Sequence, residues 1–149
     1  MTTGNKKQQA DDFFDHYCDV FNKAMKEDMP DIERTAALFS ACFIAADPSG
    51  VHCGQNDETF RDAMQKGYAF YKEIGITSMD IVSKKITILD DLHTMVKVFW
   101  RSNFLKKDGV RGIIEFENIY FTQAKDTQHR VFAYITGDEQ AALKEAGLV

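Results

Sequence analysis

A chain of 149 residues is the size of one domain and can bury roughly two-thirds of the surface that its unfolded form exposes. Hydrophobic residues make up 44% and aromatic residues 12%, with Phe at 12 positions, which supplies a core and excludes a disordered chain. A formal net charge of −5 opposes non-specific binding to nucleic acid, and no stretch has the length of a membrane-spanning helix.

Residues 1–9 are polar and read as a flexible tail, leaving residues 10–149 as a single domain. From Ala10 the apolar positions Phe13, Phe14, Tyr17, Cys18, Phe21, Ala24 and Met25 recur at three- and four-residue steps, predicting an amphipathic helix that stops before Pro30. A shorter helix follows with Ile32, Thr35, Ala36 and Phe39 inward. Cys42-Phe43-Ile44-Ala45-Ala46 has no helical period and predicts a buried strand, ended by the turn Asp47-Pro48-Ser49-Gly50. Loop residues then run to Asn56-Asp57, either of which can cap the next helix. That helix carries Phe60, Met64, Gly67, Tyr71 and Ile74 on one stripe and closes at Gly75. Gly67 stands mid-helix at a cost of about 1 kcal/mol relative to Ala, which suggests close backbone contact with a sheet.

The rest of the chain predicts four strands, at 76–89, 94–106, 110–123 and 128–136, and a last helix capped by Asp138. Asp108-Gly109 between apolar runs marks a hairpin. With three loop residues there, Arg101 faces Glu115; a two-residue turn shifts that pairing by one. Strands of this length need a bend, and Ser83-Lys84-Lys85 reads as a bulge in the first of them. Lys84-Lys85 and Lys106-Lys107 read as solvated edge pairs. Helices first and an antiparallel meander after them is the α+β pattern. Bent strands wrapped around the N-terminal helices give a cone-shaped, strongly curved sheet with an open mouth.

This element order resembles the nuclear-transport-factor-2-like superfamily, over roughly residues 10–137. The local signature is Ala36-Ala37-Leu38-Phe39, then Phe43-Ile44-Ala45-Ala46, then Asp47-Pro48-Ser49-Gly50. Within the superfamily, the likeness to ketosteroid isomerase and the SnoaL-like cyclases implies Asp47 as a general base before the Pro of the turn. It also implies Tyr17 on the first helix as an oxyanion donor and Glu117 on a later strand as its protonated partner.

The residues themselves leave two readings of Asp47, a base in an apolar cone or a carboxylate that closes its own turn. Tyr17 is a ligand donor or a packed core residue, and Glu115 and Arg101 form a cross-strand ion pair. Trp100, Phe21, Phe43, Tyr71 and Ile119 are the expected apolar wall of the pocket. His16, His52, His93 and His129 have no evident Asp or Ser partner, so a Ser-His-Asp triad has no support. The three cysteines, Cys18, Cys42 and Cys53, lack CxxC spacing and read as free thiols of a cytoplasmic protein. No metal site and no cofactor is expected. Three functions fit: a cofactor-free isomerase, cyclase or dehydratase acting on a small apolar carbonyl compound, a non-catalytic binder of such a molecule, or an assembly module. A homodimer is expected in each.

Overall fold

The computed structural model describes residues 3–149; residues 1 and 2, the start of the expected tail, lie outside the described residues. Helix α1 runs Thr3–Lys26, α2 Ile32–Ala36 and α3 Glu58–Ile74, and α4 closes the chain at Glu139–Glu145. The strands are β1 Phe39–Asp47, β2 Gly50–Gln55, β3 Ile76–Ile88, β4 His93–Leu105, β5 Arg111–Lys125 and β6 Gln128–Ile135. They form one six-stranded sheet in the order β2-β1-β6-β5-β4-β3. Neighbours are antiparallel except β1 and β6, which run parallel. The sheet is curved and unclosed, with the helices at its concave side, as the α+β reading requires.

Three helices start where a side-chain acceptor stands ready. Asp31 accepts from Glu33 N–H, Asp57 from Phe60 N–H and Asp138 from Ala141 N–H, each satisfying a donor that the first turn leaves free. Asn56, the other candidate cap of α3, does different work. Its Nδ2 donates to the carbonyls of Ala36, at 2.8 Å, and Phe39, at 3.1 Å, fixing the bend between α2 and β1. Gly75 ends α3 at φ 105°, where a side chain would be strained and would strike the Leu105 carbonyl of β4.

Helix α1 begins seven residues before its apolar stripe. Its polar first turns contain Lys and Gln, good helix formers, and extending a helix already held by tertiary contacts requires no new nucleus. Lys6 also bonds Asp91 at 2.7 Å. Phe39 is the first residue of β1 and not part of α2. The segment after Gly50, expected as loop, is strand β2. It is an edge strand with Val51, His52 and Cys53 all exposed, so no buried face marks it in the sequence.

The β4–β5 hairpin pairs Arg101 with Glu115, the outcome of a three-residue loop, with Lys106 N–H bonded to Val110 O at 2.8 Å. Burial alternates strictly along β4. Val96, Val98 and Trp100, all 0% exposed, face the helices, and Met95, Lys97, Phe99 and Arg101 face away. Phe14 of α1 is equally buried and packs against Tyr120 of β5, with ring centroids 4.9 Å apart.

Two expectations fail here. The β3 bulge lies between Ile81 and Ser83, one residue early, and it turns Lys84 toward α1 and not to solvent. The Lys84 ammonium meets Asp15 at 2.6 Å and Asp11 at 3.0 Å. Gly67 makes no close approach to the sheet: nothing lies within 4 Å of where its Cβ would stand.

Candidate functional site

The open end of the cone is a cleft between α1, α3, α4 and the inner faces of β4, β5 and β6. One cavity of about 300 Å³ is walled by Phe21, Ile76, Met79, Ile114, Phe116 and Leu143. Its polar groups include Tyr17, Asn118, Tyr120 and Glu139. A second, of about 280 Å³, lies under α2 and α3 against Phe39, Phe60, Met64 and Gly67. A separate polar hollow of about 400 Å³ opens elsewhere, beside Lys6, Asp90, His93 and His129. Lys6 is paired there with Asp91, and His93 is bonded to Asp90 at 2.8 Å.

The centre of the cleft is a hydrogen-bonded set on buried tyrosines. Trp100 Nε1–H donates to the Tyr120 hydroxyl at 3.0 Å, and Asn118 Nδ2–H donates to the same oxygen at 3.2 Å. A phenol oxygen has two acceptor positions, and these two donors fill both. Its neighbour is Tyr17, whose hydroxyl interacts with it and whose ring lies 5.5 Å away, centroid to centroid. Burial, then the closeness of Tyr120, holds the Tyr17 hydroxyl well above the ordinary phenol range, and burial raises Tyr120 as well. Both remain protonated donors throughout the neutral range.

Helix α4 closes one side of the cleft. Its first residue, Glu139, accepts from the Tyr71 hydroxyl at 2.7 and 2.8 Å, and Leu143 is buried beneath it. Burial pushes the Tyr71 hydroxyl up, and the Glu139 carboxylate adds to the rise.

The residues expected to form the site divide among several places. Tyr17, Phe21 and Tyr71 line the cleft. Trp100 lies behind the wall, fully buried, against Tyr17 and hydrogen-bonded to Tyr120. Phe43 is core, packed on Phe60 at 4.7 Å between centroids. Ile119 and Glu117 belong to the outward-facing set of β5. Glu117 borders the cavity, but its carboxylate pairs with Lys97 at 3.5 Å. Asp47 is exposed in the β1–β2 turn and does not line the cleft. Its Oδ1 accepts from Ser49 N–H at 2.8 Å and Ser49 Oγ–H at 2.5 Å, bonds that hold the carboxyl below the ordinary range.

Two histidines have an Asp or Ser partner after all. His93 bonds Asp90 through Nδ1, and His52 Nε2 lies 3.4 Å from Ser49 Oγ. Neither makes a triad, because the Ser49 proton goes to Asp47 and no carboxylate orients His52. Among the described residues, the carboxylates close enough to share an ion are Asp11, Asp12 and Asp15, and the Lys84 ammonium already sits on two of them.

The sequence reading missed Asn118, Tyr120 and Glu139. Asn118 and Tyr120 share a strand face with Ile114 and Phe116, the alternate positions to Glu115 and Glu117, so the signal was present but its direction was not. Glu139 carried a weaker signal, standing one residue after the expected cap Asp138.

The family pattern of NTF2-like proteins designated DUF6841 matches residues 7–139, most of the chain. The chain belongs to this family. Solved structures agree on the NTF2-like fold. One is a nuclear transport factor 2 (NTF2-like) superfamily protein from Salmonella enterica, with TM-score 0.62 and 15% identity, covering 93% of this chain and 95% of that one. A ketosteroid isomerase-like protein from Erwinia carotovora gives TM-score 0.59 and 16% identity over 85% of this chain and 91% of its own. The association domain of C. elegans CaMKII gives 0.65 and 12% over 89% and 95%. Among curated protein sequences, none matches the chain. Identities this low carry the fold and nothing finer. No helix among the described residues is long and apolar enough to cross a membrane.

Proposed function

We propose that this NTF2-like protein binds a small apolar molecule bearing one carbonyl or ether oxygen, with that oxygen held by Tyr17. The observation that carries the reading is the filled Tyr120 oxygen. Trp100 and Asn118 occupy its acceptor positions, and the Tyr17 hydroxyl beside it lines an apolar cleft. A ligand oxygen at Tyr17 would gain a hydrogen bond, worth about 0.5–1.5 kcal/mol net. In its enzymatic form the reading adds proton transfer next to the carbonyl: isomerisation, cyclisation or dehydration without a cofactor. Glu139 is then the better placed base, since it borders the cavity while Asp47 is held on Ser49 outside it.

Acetophenone and ethylbenzene, matched in size but differing in the carbonyl, test this by calorimetry. Tyr17→Phe is expected to weaken acetophenone about tenfold and leave ethylbenzene unchanged. Equal affinity of the two compounds for the unaltered protein would sink the assignment of Tyr17.

A second reading, homodimeric assembly, is favoured by the outer sheet face. Met95, Phe99, Ile119, Phe121 and Phe132 stand there half-exposed, with Ile135 43% exposed. Arg101 Nε on this face is shut from solvent without a bonding partner. The association-domain description of one fold neighbour supports it further. Both readings are compatible, since cleft and outer face are opposite sides of one sheet.

A further inference from the structure

The two chambers of the cleft are not independent. They share six wall residues, Tyr17, Phe21, Tyr71, Asn118, Tyr120 and Thr136, so they meet at the tyrosine set. The polar groups are distributed unevenly around this junction. In the chamber under α3, Thr35 and Tyr68 bond each other at 2.8 Å and are thereby satisfied, leaving an apolar space of Phe39, Phe60, Met64 and Leu38. On the α4 side, Ile76, Met79, Ile114 and Phe116 face the other chamber. The tyrosine and amide donors lie between two mainly apolar lobes, with Tyr134 in one and Ser102, Glu117 and Glu139 at the walls of the other.

Gly67 adds an independent observation. It sits inside α3, where Gly costs about 1 kcal/mol against Ala, and its backbone is not left-handed. Nothing lies within 4 Å of its missing Cβ, so neither backbone geometry nor packing demands Gly. Yet it lines the second chamber. The feature that remains is volume: any side chain there would project into space that is now open.

We infer that Gly67 is a specificity-determining residue, and that the ligand class is two-lobed, with a central oxygen at Tyr17 and an aromatic or alicyclic body in each chamber. This rests on the pocket reading above and deepens it. Chambers of about 300 and 280 Å³ are each suited to a body of ring size, while a one-ring ligand leaves one of them unfilled.

Benzophenone, with a ring on each side of its carbonyl, and acetophenone, with one, are the probes, measured by calorimetry on the full chain. Benzophenone is expected to bind at least about tenfold tighter than acetophenone. Gly67→Leu should weaken benzophenone about tenfold or more and acetophenone less than about twofold, with Gly67→Ala between Gly67→Leu and the unaltered protein. Both substitutions raise helix propensity, and circular dichroism melting checks that the fold persists. Equal weakening of both probes by Gly67→Leu, or of neither, overturns the inference. If acetophenone binds in a Tyr17-dependent way but benzophenone binds no tighter, the two-lobed class falls and the pocket reading stands. If neither probe binds the unaltered protein, the pocket reading itself falls and takes this inference with it.

Discussion

Strands β4 and β5 present two faces made from alternate residues of the same segments, and the faces obey different physics. The inner one holds Val96, Val98 and Trp100 with no exposure, and its polar atoms are bonded to one another, as in Thr94 Oγ1 to Thr122 Oγ1 at 3.1 Å. The outer one mixes half-exposed apolar rings with the ion pairs Lys97–Glu117 and Arg101–Glu115, at 3.5 and 3.4 Å. Charge is tolerated outside because water or a partner solvates it, and it is absent inside because desolvation there would be uncompensated. A carboxylate placed by sequence on β5 thus belongs to the outer face, and hydroxyl and amide groups serve the inner one.

The sharpest break of this contrast is Trp100→Ala. Removing the indole leaves a cavity and strips Tyr120 of one donor, so a loss of about 3–5 kcal/mol is expected in urea unfolding. A loss under about 1 kcal/mol would mean that the inner face is not the closely packed core described here. On the outer face, Phe121→Asp should instead split a dimer in sedimentation at micromolar concentration. Monomer stability should change by about 1 kcal/mol at most. A purely monomeric unaltered protein would remove the assembly reading and leave the outer face merely half-wet.

The smallest expected effect is pH-dependent and belongs to the inner side. His129 stacks on Phe13 with centroids 4.4 Å apart and bonds Thr122 at 2.8 Å, and burial holds its pKa below the ordinary 6.5. The folded state therefore binds fewer protons than the unfolded one just below that value. Stability should be full above pH 6.5, decline as pH falls through the window beneath it, and level off below the folded pKa. Melting temperatures from pH 7 to pH 5 should show this slope, and His129→Phe should flatten it. An unchanged slope would assign the decline to other groups.

Legibility followed the type of signal. α3 could be read from its stripe, a cap at Asn56 or Asp57 and its closing Gly75, all of them local, and Asp57 is the one that caps. The hairpin's place could be read from Asp108-Gly109, but its register was open between two turn lengths until the three-residue loop set Arg101 opposite Glu115. β2 could not, since an edge strand that buries no face has no periodic pattern. Lys84 looked solvated because the bulge that turns it toward Asp11 and Asp15 acts through the partner strand. Asp47 drew attention as a base in an apolar cone, but it satisfies itself on Ser49, which is the ordinary chemistry of an Asp in a turn.

The sequence by itself determined the helices, the four-strand meander and the turns at Asp47-Pro48 and Asp108-Gly109, because these depend on neighbours within a few residues. Which parity of those strands faces the helices was decided only by the tertiary structure. Period-two alternation is symmetric, and a single residue's shift exchanges the faces. That choice put Tyr120 and Asn118 in the cleft and Ile119 outside it, with Glu117 at the cavity's border and paired with Lys97. It also brought Tyr71 of α3 to Glu139 of α4, 68 residues away, a contact that no local pattern encodes.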